Sequence, residues 1–114
     1  MVNTPPASKT IILTGGTRGL GWEMAEALID AGHCVVITGQ QHGPHLGALQ
    51  DQLNQRAGAA RALALQADVG QWADCERVVQ QTLDTFGRVD GLVNNAGLGM
   101  RAIRDNFLQD PPLF

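Results

Sequence analysis

Gly15, Gly19 and Gly21 follow the apolar run Ile11-Ile12-Leu13 in a T-G-x-x-x-G-x-G arrangement that begins at Thr14, and the chemistry this permits is anion binding. Gly15 lets the chain leave a strand with a torsion that a side chain would penalise. Gly19 carries no Cβ, so a phosphate can approach the main-chain N–H groups where a helix begins, and Gly21 allows helix and strand to pack closely. The helix start adds unpaired N–H donors and the positive end of its dipole, which makes a dinucleotide pyrophosphate the expected guest. The competing reading is an ordinary tight turn from strand to helix. The commonest dinucleotide spacing, G-x-G-x-x-G, is absent, and Trp22 stands where a P-loop needs Lys, which disfavours nucleoside triphosphate hydrolysis.

Two further polar clusters follow apolar runs. Asp68-Val69 comes after Arg61–Ala67, where a carboxylate can accept a hydrogen bond from an adenine amino group or satisfy N–H groups near the next helix start. Asn94-Asn95-Ala96-Gly97 follows Val89–Val93, as a turn or as a pair of amides that brace neighbouring loops while the backbone lies against a ribose. The three histidines, His33, His42 and His45, have no ligand spacing with a carboxylate, and no metal is expected.

The elements that must position these clusters alternate along the chain. Lys9–Thr14 reads as the first strand, and Gly19 to about Ala31 as a helix with Leu20, Met24, Ala27, Leu28 and Ala31 on one face, stopped by Gly32. His33–Thr38 is a second buried strand, rich in β-branched residues. After a loop at Gly39–Gly43, Leu46, Leu49 and Leu53 mark a second helix closing near Gly58, and Arg61–Ala67 is the third strand. Trp72, Cys75, Val79, Leu83 and Phe86 define one face of a third helix, Gly87 ends it, and Val89–Val93 is the fourth strand. Packing is the expected role of Trp22 and Trp72. Such alternation argues for right-handed βαβ units and a parallel sheet, whose ligands bind beyond the carboxyl ends of the strands. Every distinctive polar cluster lies at such an end.

Composition narrows the function further. The 114 residues form at most one domain, read as a flexible tail over residues 1–8 and a partial dinucleotide-binding domain over 9–114. The net charge of −3 and the scatter of eight basic residues argue against nucleic acid. Cys34 and Cys75 form no C-x-x-C and read as small buried hydrophobes in a reducing compartment. No apolar run approaches a membrane span and no signal segment is legible, so a soluble cytoplasmic protein is expected. Arg18 beside Gly19, with Thr38-Gly39-Gln40-Gln41 offering no Asp or Glu to a ribose diol, points to NADP(H) over NAD(H).

Taken in order, T-G-x-x-x-G-x-G at 14–21, Asp68-Val69 and Asn94-Asn95-Ala96-Gly97 resemble the N-terminal half of the short-chain dehydrogenase/reductase family over roughly residues 9–99. The resemblance implies a Rossmann-type α/β fold with helices on both faces of a parallel sheet in the order 3-2-1-4. It also implies a nicotinamide cofactor and hydride transfer between a carbonyl and an alcohol. Gly15, Thr17, Arg18, Gly19, Leu20 and Gly21 would line the pyrophosphate and ribose, with Gln40 near the end of the second strand. Asp68 and Val69 would hold adenine, and Asn94, Ala96 and Gly97 would pass beside the riboses. The family's Ser, its Tyr-x-x-x-Lys pair and its helix Asn find no counterpart. Tyr is absent, and Ser8 and Lys9, the sole Ser and Lys, precede the first strand. Family members also run longer, and this chain closes on Asp110-Pro111-Pro112-Leu113-Phe114. The expectation is therefore a cofactor-binding N-terminal fragment of an oxidoreductase, inactive by itself and inclined to associate. A non-catalytic nucleotide-binding or partner-binding module is the alternative.

Overall fold

The computed structural model describes residues 8–40 and 43–96. Strand and helix alternate as β1 (Thr10–Thr14), α1 (Gly19–Asp30), β2 (Cys34–Gly39), α2 (Gly43–Ala57), β3 (Ala62–Gln66), α3 (Trp72–Phe86) and β4 (Gly91–Asn94). The four strands form one parallel sheet in the order β3-β2-β1-β4, the Rossmann-type order expected. Thr14 lies opposite Thr38 on one side and Asn94 on the other, and Gly39 lies opposite Gln66. This register brings all four carboxyl ends to one rim.

Both faces of the sheet are covered, which is why its strands read as continuous apolar runs. Leu13, Val35 and Ile37 point to one side and pack with Ala25 and Ile29 of α1 and with Leu49 and Leu53 of α2. Ile12 and Val36 point to the other side, where Val78 of α3 and Ala67 meet them. Between α1 and α2, Arg56 forks onto Asp30 and reaches Glu26 at 2.8 Å. Asp90 accepts the Thr10 N–H at 2.8 Å and is clasped by Arg88, which ties the approach to β4 to the start of β1. Cys34 and Cys75 are free and half-buried, and burial pushes the Cys34 thiol up.

Two helix faces differ from the periodicity reading. In α1 the buried residues are Gly21, Ala25 and Ile29, while Leu20 is 67% exposed and Ala27 and Ala31 face solvent. Small residues at 21 and 25 let the backbone approach the sheet, and this outweighs the larger apolar area offered by Leu20. Met24 and Leu28 flank that face, half-buried, with Trp22. In α3 the buried residues are Val78 and Thr82, whereas Val79 and Leu83 are exposed and Trp72 is 77% exposed. Thr82 is buried at no hydrogen-bonding cost, because its hydroxyl donates to the Val78 carbonyl at 2.7 Å. Trp22 therefore packs as expected and Trp72 does not.

Candidate functional site

The turn after β1 is held from both neighbouring strands. The Gly15 N–H lies 3.4 Å from the Thr38 hydroxyl oxygen on β2. On the β4 side the Asn95 side-chain amide donates to the Gly15 carbonyl at 3.2 Å. The Thr14 hydroxyl accepts the Ala96 N–H at 3.0 Å, and its own proton is shared between Asn94 Oδ1 at 3.2 Å and the Val93 carbonyl at 3.4 Å. Thr14, Gly15, Asn94, Asn95 and Ala96 thus form one assembly at the carboxyl rim. Gly97 lies outside the described residues.

Each glycine answers to its surroundings. Gly15 has φ +70°, and a Cβ there would come within 2.9 Å of the Ala96 Cα. At Gly21 a Cβ would overlap the Gly15 carbonyl oxygen and crowd Asn95 Nδ2 at 2.6 Å, so the close approach is to the glycine turn itself. Gly16, to which sequence reasoning assigned no task, leaves room for Ile37, whose Cγ2 would lie 2.6 Å from a Cβ. Gly19 is different: its φ is +58° and nothing lies within 4 Å of a Cβ built there.

That open space adjoins the start of α1. Arg18 occupies the N-cap position with extended backbone, its side chain makes no capping hydrogen bond, and no acidic residue stands in the first turn of α1. Arg18, Gly19 and Leu20 are exposed, while Thr17 is buried. Uncapped N–H groups, an open approach at Gly19 and a nearby guanidinium suit an anion. A pyrophosphate therefore fits the residues present.

The ends of β2 and β3 and the first turns of α3 border an open pocket of about 330 Å³ lined by Gln40, Gln66, Ala67, Asp68, Asp74 and Arg77. Asp68 Oδ1 accepts the Gly70 N–H at 2.9 Å, so this carboxylate does perform the local turn task weighed from the sequence. The Asp68 N–H donates in turn to Asp74 Oδ2 at 2.8 Å. Arg77 donates to the Gln66 carbonyl and lies 3.5 Å from Asp74 Oδ1. The Asp68 N–H first, and then Arg77, hold the Asp74 carboxyl below its usual range. Gln66 Nε2 reaches the Gln40 carbonyl at 3.4 Å, and Val69 is 39% exposed beside this loop. Asp74 and Arg77 escaped sequence reasoning, since a helical acid and base three apart read as a solvated pair. Among the described residues no group of His, Cys, Asp or Glu could hold a metal ion. Nor is any described helix long and apolar enough to cross a membrane.

The family model for short chain dehydrogenase matches residues 9–110. The chain belongs to the short-chain dehydrogenase family. An 11-beta-hydroxysteroid dehydrogenase A of Sesamum indicum is 36% identical over 95 residues, covering 81% of this chain and 26% of the relative. Among solved structures, L-sorbose reductase from Gluconobacter frateurii, complexed with NADPH and L-sorbose, is similar with a TM-score of 0.75 and 30% identity, covering 86% of this chain and 36% of that one. The 3-ketoacyl-(acyl-carrier-protein) reductase of Brucella melitensis, complexed with NADH, has a TM-score of 0.70 and 34% identity, covering 80% of this chain and 35% of that one. This short-chain dehydrogenase chain thus spans about a quarter to a third of the length of these relatives.

Proposed function

We propose that the chain is the dinucleotide-binding part of an NAD(P)-dependent oxidoreductase that interconverts a carbonyl and an alcohol by hydride transfer. The observation that carries this reading is the glycine turn itself. It is braced by Thr38 and Asn95, it opens on an uncapped helix start, and it belongs to a chain of the short-chain dehydrogenase family. In this reading residues 9–114 are a partial binding domain preceded by a tail. Gly15, Thr17, Arg18, Gly19, Leu20 and Gly21 border the pyrophosphate, Asp68 and Val69 the adenine, and Asn94, Ala96 and Gly97 the riboses. Arg18, with a neutral Gln40 at the end of β2, favours NADP(H) over NAD(H), because a 2′-phosphate gains a cation and meets no carboxylate.

A bound nicotinamide supplies the hydride chemistry; the described residues supply binding and orientation. For the proton that must reach the substrate oxygen they offer no suitable group. Tyr is absent, and Ser8 and Lys9 sit at the amino end of β1, where the Ser8 hydroxyl bonds the Gly32 carbonyl and the Lys9 N–H bonds His33 Nδ1. Binding without turnover is therefore the expected behaviour of the 114-residue chain. The reading also includes a cytoplasmic location and self-association along β4, an edge strand among the described residues, where Leu92 is 63% exposed.

Titrating the chain with NADPH and NADH, followed by nicotinamide fluorescence, tests the proposal. Saturable binding of NADPH tighter than of NADH, with no carbonyl reduction, is expected. A folded chain that binds neither dinucleotide overturns the binding reading. Carbonyl reduction by the same preparation overturns the claim of inactivity.

A further inference from the structure

We propose that Asp74 and Arg77, on the first turns of α3, are positioning residues that hold Asp68 ready for the purine end of the dinucleotide. The inference rests on the dinucleotide reading above. Asp68 sits on the short loop between β3 and α3, where an exposed carboxylate would ordinarily sample many orientations. Here the residue is held at two points: the Gly70 N–H donates to the carboxylate Oδ1 at 2.9 Å, and the main-chain N–H of Asp68 donates to Asp74 Oδ2 at 2.8 Å. Oδ2 of Asp68 receives no donor among the described residues, so this oxygen is left to accept from a ligand amine. Asp74 is in turn steadied by Arg77, whose Nη2 also donates to the Gln66 carbonyl at the end of β3. Gln66, Asp68, Asp74 and Arg77 all line the same open pocket of about 330 Å³.

An exposed Asp–Arg pair three residues apart on one helix contributes little to stability by itself. This pair does more, because its outer ends are bonded to main chain on the strand and on the loop, and so it ties helix, loop and sheet together. A loop ordered before the ligand arrives spares the ordering cost at binding. The Arg77 guanidinium is engaged by the Gln66 carbonyl, Gln81 Oε1 and Asp74, which assigns its charge to this tie rather than to a 2′-phosphate.

The test is calorimetric titration of the 114-residue chain with 5′-AMP, NADPH and inorganic pyrophosphate. Asp74→Ala is expected to weaken 5′-AMP and NADPH by about tenfold, the usual consequence of losing a charge-assisted hydrogen bond, and to leave pyrophosphate unchanged. Asp74→Asn, which keeps an acceptor for the Asp68 N–H, restores most of the loss. Asp74→Ala adds nothing in an Asp68→Ala background, because it acts through that residue. Arg77→Met gives a smaller loss in the same direction and decides the matter should Asp74→Ala not fold. Unchanged 5′-AMP affinity in these variants, a loss shared by pyrophosphate, or an additive double variant overturns the proposal while leaving the dinucleotide reading intact. An unaltered chain that binds neither 5′-AMP nor NADPH overturns both.

Discussion

The side-chain amide of Asn95 donates to the carbonyl of Gly15 across 3.2 Å, joining the end of β4 to the turn that follows β1. The two residues are 80 apart in sequence. The same carbonyl lies against Gly21 in the first turn of α1, so the bond fixes the turn against the helix start. Asn95→Ala should lower stability by about 1 kcal/mol, the typical net worth of such a bond. Asn95→Asp should cost more, since a carboxylate facing a carbonyl oxygen repels it. Urea unfolding of the two variants against the unaltered chain measures both.

Gly15 and Gly19 both have positive φ, at +70° and +58°, but they differ in what surrounds them. Gly15→Ala adds contact with the Ala96 backbone to the torsional cost and should destabilise by about 2–3 kcal/mol. Gly19→Ala meets open space and carries only the left-handed penalty of about 1–2 kcal/mol. Its larger effect should fall on dinucleotide affinity, because the new methyl would occupy the approach proposed for the phosphate. Paired melting and NADPH titration separate the two outcomes.

Arg18→Ala removes the cation beside the helix start. NADPH affinity is expected to fall about tenfold, the scale of one charge-assisted contact, with a smaller loss for NADH, which shares the pyrophosphate but lacks the 2′-phosphate. An equal loss for both cofactors, or none for either, would count against the preference.

Acid sensitivity should be traceable to Asp90. Arg88 first, and the Thr10 N–H second, hold its carboxyl below the ordinary value. A depressed value in the folded state means that ionised Asp90 favours folding. That contribution is complete above the unfolded value of about 3.9 and fades as pH falls through the lower folded value. Asp90→Asn should therefore be less stable near neutral pH and show a shallower loss between about pH 5 and pH 2. Asp30 and Asp74 are depressed as well, so some slope remains. Urea midpoints across that range give the answer.

The alternation of strand and helix was legible because apolar runs and glycine stops are local signals. Each strand was placed to within two residues, and Gly32, Gly58 and Gly87 do end their helices with positive φ. Helix faces were less legible, since burial depends on how closely a backbone can approach its partner. Gly21 and Ala25 turn α1 away from Leu20, and a self-bonded Thr82 replaces the Val79–Leu83 stripe of α3. At the site, the three glycines of the motif announced themselves by spacing. Gly16 and the Asp74–Arg77 tie did not, for their reasons lie in Ile37, Gln66 and Asp68, which only the folded chain brings close.

The strand order places β1 at the centre with β2 and β4 on its two sides, although β4 comes last in the described chain. One side of β1 can close early through a nearby partner, whereas the other must wait for a segment some 80 residues downstream. Closing the longer loop carries the larger entropic cost, so β4 should dock late. The residues that lock the glycine turn, Asn94 to Ala96, travel with β4. In pulsed hydrogen exchange during refolding, the Gly15 amide, bonded to Thr38, should therefore gain protection with β2, and the Ala96 amide, bonded to Thr14, only later with β4. Protection of Ala96 along with β2 would reverse that order. The bracing of the glycine turn is then completed only when β4 docks, and chains that have not yet docked β4 lack the frame on which the proposed binding site depends.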